Sequence, residues 1–142
     1  MYSRSLVFAQ FFLISIMVFF SRGILTSWSG LGILVVGLLF GFWTIRYNRL
    51  GNFNIRPELK EGCELITTGP YRFVRHPMYT SVLLISLALA VATPTYLEWS
   101  SFILLAFVLA LKSIREENLW CEGSVRYTEY MQGTKRFIPF IF

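Results

Sequence analysis

Residues 28–45 read WSGLGILVVGLLFGFWTI, eighteen positions without a charged side chain. A helix needs about 20 mainly apolar residues to cross the hydrocarbon core of a bilayer, so this stretch predicts a membrane-spanning helix. The whole chain has this character: 55% of its 142 residues are hydrophobic and only 15% are charged, against about a quarter charged in soluble domains. We therefore expect an integral membrane protein with one domain over residues 1–142.

Three further apolar stretches complete the predicted bundle. We expect spans at about residues 5–21, 26–46, 77–95 and 98–114. Arg4 ahead of the first stretch also suits a cleaved signal peptide, but the turn and second apolar helix that follow favour a span. Gly37 and Gly41 have the spacing that lets two helices pack closely in lipid. The predicted fold is all-α, with about four transmembrane helices, a loop at 47–77 and a helical C-terminal tail at 115–142.

The lysines and arginines predict the orientation. With the N-terminus inside, 12 of the 13 cations fall on inner segments and only Arg22 falls outside. Seven of the eight glutamates lie on the same side, Glu98 being the exception. Because short cytoplasmic loops retain cations, we expect a multi-pass protein, in a bacterial inner membrane, with both termini in the cytosol. The excess of basic residues is then explained by the orientation in the membrane and by attraction to anionic lipids. We therefore expect the bilayer, and no nucleic acid, as a partner.

Several common kinds of site are excluded by the residues themselves. The chain has one histidine, no aspartate, and two cysteines, Cys63 and Cys121, without metal-ligand spacing. A Ser-His-Asp triad is therefore impossible, and we expect no metal site. Neither GxGxxG after a strand nor GxxxxGK[ST] occurs, so neither standard nucleotide-binding loop is present.

The densest polar segment precedes the third span and reads TTGPYRFVRHPMYTS, residues 67–81. Gly69-Pro70 predicts a turn, and Pro77 suits the first position of a helix. Arg75 and His76 would then lie at the positive end of that helix, which favours an anion, with Tyr79 on nearly the same face. Taken singly, each residue also fits an ordinary membrane interface, where arginine side chains extend towards water and tyrosines are enriched. The combination of these residues in one segment favours a functional site.

Adjacent glutamates mark the second candidate group. Arg115-Glu116-Glu117 follows the fourth span, and Tyr127, Tyr130 and Arg136 follow in the tail. Acidic side chains at the C-terminal end of a helix oppose its dipole, so this pair suits the binding of a cationic group. A solvated helix with pairing of Lys112 and Glu116 fits the glutamates equally well, and the tyrosines also suit a membrane-surface helix.

These segments together resemble a known family. The chain resembles the isoprenylcysteine carboxyl methyltransferases in four motifs. They are TGPYRFVRHPMY at 68–79, Arg115-Glu116-Glu117, Tyr127-x-x-Tyr130 and Arg136-Phe137-Ile138-Pro139. These membrane enzymes are related to the phospholipid N-methyltransferases. The likeness covers roughly the last ninety residues and includes Asn52-Phe53-Asn54-Ile55. One departure is Cys121-Glu122-Gly123-Ser124, where relatives often have Phe-Gly or Phe-Pro.

The resemblance implies a methyltransferase that binds S-adenosylmethionine at the cytosolic face of the membrane. It implies these cofactor-binding residues: Gly69, Tyr71, Arg75, His76, Pro77, Tyr79, Glu116, Glu117, Tyr127 and Tyr130. The candidate catalytic residues near the methyl acceptor are Arg115, Glu116 and Arg136. The implied acceptor is a lipophilic or small membrane-soluble molecule, which the bilayer would deliver.

The nature of the acceptor stays open at this point. A carboxylate of the isoprenylcysteine kind is already a nucleophile, whereas a phospholipid amine or a small thiol must first lose a proton to His76, Glu116 or a tyrosine. A sterol-reductase-like activity would need a nicotinamide cofactor, for which the chain has too little extra length. A non-catalytic membrane subunit is the remaining alternative, although a scaffold has no need of clustered Arg75, His76 and Glu116.

Overall fold

The computed structural model describes residues 2–48 and 65–141, and every regular element in these ranges is helical. The helices are α1 (Tyr2–Phe20), α2 (Trp28–Tyr47), α3 (Pro77–Ala92), α4 (Tyr96–Gly123) and α5 (Val125–Gly133), with a 3₁₀ turn at Gly69–Arg72 before α3. The all-α prediction is confirmed. Much of the loop predicted at 47–77, with the motif at 52–55 and Cys63, lies outside the described residues.

Within residues 2–48 and 65–141, three helices, α1, α2 and α4, are long and apolar enough to cross a membrane. The third predicted span corresponds to α3, which is apolar but has only 16 residues. The fourth span is predicted to end near residue 114, and α4 continues beyond that point to Gly123, because neither glycine nor proline interrupts residues 96–122. Glu116 and Glu117 therefore lie on the last turns of a long helix.

Side-chain caps define where the helices begin. The Ser27 hydroxyl accepts a hydrogen bond from the Gly30 N–H at 3.1 Å, and the Thr95 hydroxyl caps the start of α4 in the same way. Ser124 ends α4 and caps α5 by accepting from the Tyr127 N–H. Serine and threonine are favoured N-caps because their oxygens satisfy first-turn N–H groups. The unusual sequence at 121–124 is therefore the corner between α4 and α5.

Helix α2 packs closely on α3 through its glycines. Gly37 and Gly41 are buried, and a Cβ atom added at Gly37 would lie only 3.0 Å from the Leu84 Cβ. The Ser81 hydroxyl donates a hydrogen bond to the Gly37 carbonyl at 2.8 Å. This contact confirms the close packing that the glycine spacing predicted.

A larger side chain at Gly37 should separate the two helices. We expect Gly37→Leu to lower the apparent melting temperature in detergent, because overpacking costs typically about 1–3 kcal/mol. Gly32→Leu on the same helix is the matched control, since nothing lies within 4 Å of a Cβ atom added there. Equal melting temperatures for the two variants would contradict the proposed contact.

Helix α1 packs on α4 and completes the bundle. Leu6, Leu13 and Met17 of α1 join Leu105 and Leu109 of α4 in the core. Many large apolar side chains on the helices instead point outward, among them Phe8, Phe19 and Phe42. Soluble proteins rarely expose continuous apolar surface on this scale, so the outer surface agrees with the membrane-spanning prediction.

Candidate active site

The turn before α3 is fixed by the end of α2. Gly69 has a φ of +61°, a conformation that favours glycine, and the Tyr47 ring occupies the space that a Cβ atom would need. The rings of Trp43 and Phe73 also meet, 6.3 Å apart. Helix α3 then begins at Pro77, as predicted. This packing brings Arg75 and His76 to one end of the bundle, beside the last turns of α4.

The C-terminal segment runs alongside the start of α3. The Arg75 N–H donates to the Lys135 carbonyl at 2.7 Å, and the His76 N–H donates to the Arg136 carbonyl at 3.1 Å. Val74 and Lys135 form an isolated parallel bridge in this segment. The Thr80 hydroxyl donates to the next carbonyl, that of Phe137, at 2.9 Å. These bonds place Arg136 and Phe137 directly at the site.

Glu117 is the centre of a buried ionic cluster. One carboxylate oxygen accepts from the Arg75 Nε at 2.8 Å and contacts the His76 Nε2 at 3.0 Å. The other oxygen accepts from the Arg136 Nη2 at 2.5 Å. The Glu117 side chain is only 3% exposed. Helix α4, the start of α3 and the C-terminal segment therefore share one carboxylate.

His76 lies between the two glutamates. Its Nδ1 is 3.4 Å from the Glu116 carboxylate, while its Nε2 faces Glu117. Burial lowers the pKa of His76, but hydrogen bonds to both carboxylates and their negative charges outweigh burial, so the pKa is raised above its usual 6.5. The imidazole is therefore favoured in its charged form, with both nitrogens as donors.

This arrangement predicts a pH-dependent stability. A folded-state pKa above 6.5 gives a contribution that is complete below pH 6.5 and is lost as the pH rises through the folded-state pKa. We expect the apparent melting temperature in detergent to fall over that range, and His76→Gln to flatten the profile because the chain has no other histidine. A wild-type profile that is level above pH 6.5 would be incompatible with this cluster.

Tyr79 and Glu116 form the neighbouring part of the site. The Tyr79 hydroxyl donates a hydrogen bond to the Glu116 carboxylate. The Tyr79 ring stacks on the His76 imidazole at 5.5 Å, with an 8° angle between the planes, as expected for residues on nearly the same helix face. Phe137 contacts both rings edge-on, at 6.0 and 6.4 Å. An aromatic wall thus borders Glu116, whose side chain keeps 19% exposure.

The tyrosines of α5 form a second aromatic group. Tyr127 is buried and stacks on Trp120 at 5.5 Å, and its ring meets that of Tyr130 at 5.8 Å. The Tyr130 hydroxyl donates to the Tyr71 carbonyl, and burial raises the pKa of Tyr130 to about 12. A neutral phenol is therefore expected at this contact, which links α5 to the turn before α3.

The charged residues predicted for the site, with Tyr79, differ in how closely they are joined. One cluster of aromatic and ionic contacts contains His76, Tyr79, Glu116, Glu117 and Arg136. Arg75 joins them, but its side chain is engaged by Glu117 and by the carbonyls of Met131 and Thr134. Arg115 has a buried Nε without a hydrogen-bond partner among the described residues, and no hydrogen bond or ion pair there joins it to the cluster.

Two contributing residues were not predicted as site residues. Phe137 belongs to the Arg136-Phe137-Ile138-Pro139 motif but was not predicted to be a site residue. In the structure its ring packs against His76 and Tyr79. Lys112 entered only the alternative of a solvated helix with a Lys112–Glu116 pair, whereas in the structure it is 1% exposed and lies over the Tyr79 ring. Its position one helical turn before Glu116 was the available signal.

The cluster offers sites for opposite charges side by side. Glu117 is surrounded by two arginines and His76, whereas Glu116 remains partly accessible to a cationic group. His76 is the N-cap of α3 and makes no side-chain capping bond, and the N-terminal end of a helix favours an anionic group. A zwitterionic ligand with an amino-acid moiety matches this pair. Among the described residues, no group of three His, Cys, Asp or Glu side chains is placed to hold a metal ion.

Comparison with known families identifies the one to which the chain is similar. A family model described as phospholipid methyltransferase matches residues 25–122, a range that contains His76, Tyr79 and both glutamates. No curated protein matches the chain. Gln10 in α1 and Arg136 and Phe137 in the C-terminal segment lie outside the matched range, although the last two belong to the cluster.

Proposed function

Because the chain belongs to the phospholipid methyltransferase family, we propose that it transfers the methyl group of S-adenosylmethionine to a lipophilic acceptor at the membrane surface. Family membership makes it a membrane methyltransferase, which its long apolar helices support. The observation that carries the choice of donor is the position of Glu116 beside the start of α3. We propose that the cytosol supplies the donor to this end of the bundle, as the distribution of cations suggests.

The residues present fit S-adenosylmethionine. Its ammonium and sulfonium groups are cationic, and Glu116 is a partly exposed carboxylate bordered by His76 and Tyr79. Its carboxylate is anionic, and the start of α3 has no side-chain cap. In this proposal Glu116 binds the cationic part of the donor and the first turn of α3 binds the anionic part. Glu117 has a different role, which is to keep Arg75, His76 and Arg136 in place.

The donor supplies an electrophilic methyl group on a sulfonium sulfur. The protein then contributes mainly by positioning, which can account for about 7–11 kcal/mol of a reaction barrier. The His76 and Tyr79 rings, with Phe137 against them, form a rigid wall that limits the approach of water. Glu116, through the Tyr79 hydrogen bond, is also placed to accept a proton from an acceptor that must lose one.

Two acceptor classes are proposed. The motifs favour the carboxylate of an isoprenylcysteine, which needs orientation by a cation such as Arg136 and no base. The family description names a phospholipid, and this observation favours the amine of a phospholipid headgroup, for which Glu116 would serve as the base. In both cases the acceptor reaches the site from the bilayer.

Donor binding tests the proposal directly. Isothermal titration of nanodisc-embedded protein with S-adenosylmethionine should show binding, and Glu116→Gln should weaken it about tenfold or more, because hydrogen bonds to charged groups contribute about 1.5–3 kcal/mol. Glu122→Gln, an exposed position further along α4, is the matched control and should bind as the wild type does. Folded wild-type protein that binds no donor would disprove the proposed function.

Transfer of a labelled methyl group then ranks the acceptors. Farnesyl-cysteine, phosphatidylethanolamine and a small thiol are offered separately to the same nanodiscs. Transfer to farnesyl-cysteine or to the lipid amine decides between the proposed classes. Donor binding with transfer to the thiol alone would contradict a lipophilic acceptor, and binding without any transfer would favour a non-catalytic subunit.

A further inference from the structure

Lys112 is a buried charge beside the proposed site. It lies on α4 one turn before Glu116, and only 1% of its surface is exposed. Placing an ammonium among membrane helices is expensive, so such residues are usually paired and functional. The contacts of Lys112 therefore indicate what its charge does.

The Lys112 ammonium joins three helices. Its Nζ donates a hydrogen bond to the Gln10 side-chain oxygen of α1 at 2.5 Å. The same atom lies 5.1 Å from the centroid of the Tyr79 ring of α3, within the range of a cation–π interaction. Gln10 is itself buried. Helix α1 thus reaches the site through one lysine, although α1 lies outside the range that the family model matches.

Tyr79 connects this lysine to the proposed ligand-binding residues. The Tyr79 hydroxyl donates a hydrogen bond to the Glu116 carboxylate, and the Tyr79 ring stacks on His76. Lys112 and Glu116 are also four residues apart on one helix, so their side chains share a face. The position of the ammonium therefore bears on both the geometry and the charge of the site.

A contact that only holds α1 and α4 together would not need the charged Lys112 ammonium. Replacing buried ionic groups by apolar side chains of similar volume is often neutral or stabilising. A Met or Leu pair between α1 and α4 would join them at lower desolvation cost. The presence of an ammonium against the tyrosine that contacts Glu116 points to an electrostatic role.

We infer that Lys112, held by Gln10, is a positioning residue of the methyl-transfer site, which fixes Tyr79 and thereby presents Glu116 to the donor. This inference rests on the proposed function for its ligand. Its effect on the apo protein does not, because the Lys112 ammonium lies over the Tyr79 ring, which in turn stacks on the His76 imidazole. The charged and titratable groups around His76 are Arg75 and Tyr79, the α4 residues Lys112, Glu116 and Glu117, and Arg136 of the C-terminal segment.

The experiment compares Lys112→Met with Lys112→Arg in nanodiscs. We expect Lys112→Met to bind S-adenosylmethionine about tenfold more weakly, as loss of a desolvated cation–π contact suggests, and Lys112→Arg to recover most of the affinity. Arg126→Met removes an exposed cation of α5 and should leave affinity unchanged. Wild-type affinity in Lys112→Met would overturn the inference.

A second readout needs no ligand. Removing the cation that lies over Tyr79 should shift the pH midpoint of the melting profile upward by about half a unit or more, because the His76 imidazolium, stacked on the same ring, is then repelled less. Lys112→Arg should keep the wild-type midpoint. A purely structural lysine would lower the melting temperature without moving the midpoint, which would contradict the inference. If wild-type protein binds no donor, the proposed function fails, and the midpoint still decides whether Lys112 acts on the cluster.

A third variant covers a failure to fold. Should Lys112→Met not fold, Gln10→Leu leaves the charge in place and removes this one hydrogen bond. We expect Gln10→Leu to melt at a lower temperature, because a buried group loses a hydrogen bond, and to bind S-adenosylmethionine more weakly. Wild-type binding in that variant would overturn the role assigned to the pair.

Discussion

Replacing Glu117 by glutamine should destabilise the protein by about 3–5 kcal/mol, the usual cost of removing one partner from a buried ionic group. The carboxylate is shared by Arg75, His76 and Arg136. A neutral amide of the same size fills the space but leaves these charges in a dry environment. Because the side chain is only 3% exposed, water does not replace the lost interaction.

Glu122→Gln is the matched control for this variant. It makes the same chemical change on the same helix at an exposed position, and surface changes of this kind usually fall within about 0.5 kcal/mol. Both variants would be unfolded by denaturant in the same detergent. A difference below about 1 kcal/mol between them would show that the cluster around Glu117 does not exist in the native protein.

Truncating Phe137 to alanine should have an effect of similar size. Phe137 is 5% exposed, packs against the His76 and Tyr79 rings, and accepts a hydrogen bond from Thr80 through its carbonyl. Removing a buried phenylalanine ring typically costs about 3–5 kcal/mol. The segment then loses its anchor, so Arg136 should leave Glu117 and methyl transfer should fall with it.

The control lies three residues further on. Phe140→Ala removes an identical ring that is 87% exposed and should change neither stability nor transfer appreciably. Protease cleavage near residues 134–137 should become faster in Phe137→Ala only. Equal protease resistance of the two variants would mean that the Phe137 ring does not hold the segment in place.

Local sequence patterns were sufficient for much of this fold. Apolar stretches predicted the helices, Pro77 predicted the start of α3, and helical spacing placed Tyr79 beside His76. Each of these features depends on residues within one or two turns of each other. Residues 96–122 contain neither glycine nor proline, so the sequence also allowed α4 to continue beyond the predicted span.

The features that sequence did not predict depend on long-range packing. Glu116 and Glu117 are adjacent and point about 100° apart on a helix, so only the position of neighbouring segments decides which one is buried with arginines. The burial of Lys112 likewise depends on Gln10, which is distant along the chain. The structure brings parts of these segments together in one cluster, but the resemblance did not distinguish supporting side chains from accessible ones.

The pairing of residues 74–76 with 135–136 also bears on when the site is complete. Residues 135–137 follow all five helices along the chain, and their main-chain hydrogen bonds reach back to residues 75 and 76. The Glu117 carboxylate gains its Arg136 partner, and the aromatic group gains the Phe137 ring, only when these two segments pair. Completion of the site is consequently coupled to the docking of this segment, and methyl transfer is expected to be lost whenever the segment separates from the start of α3.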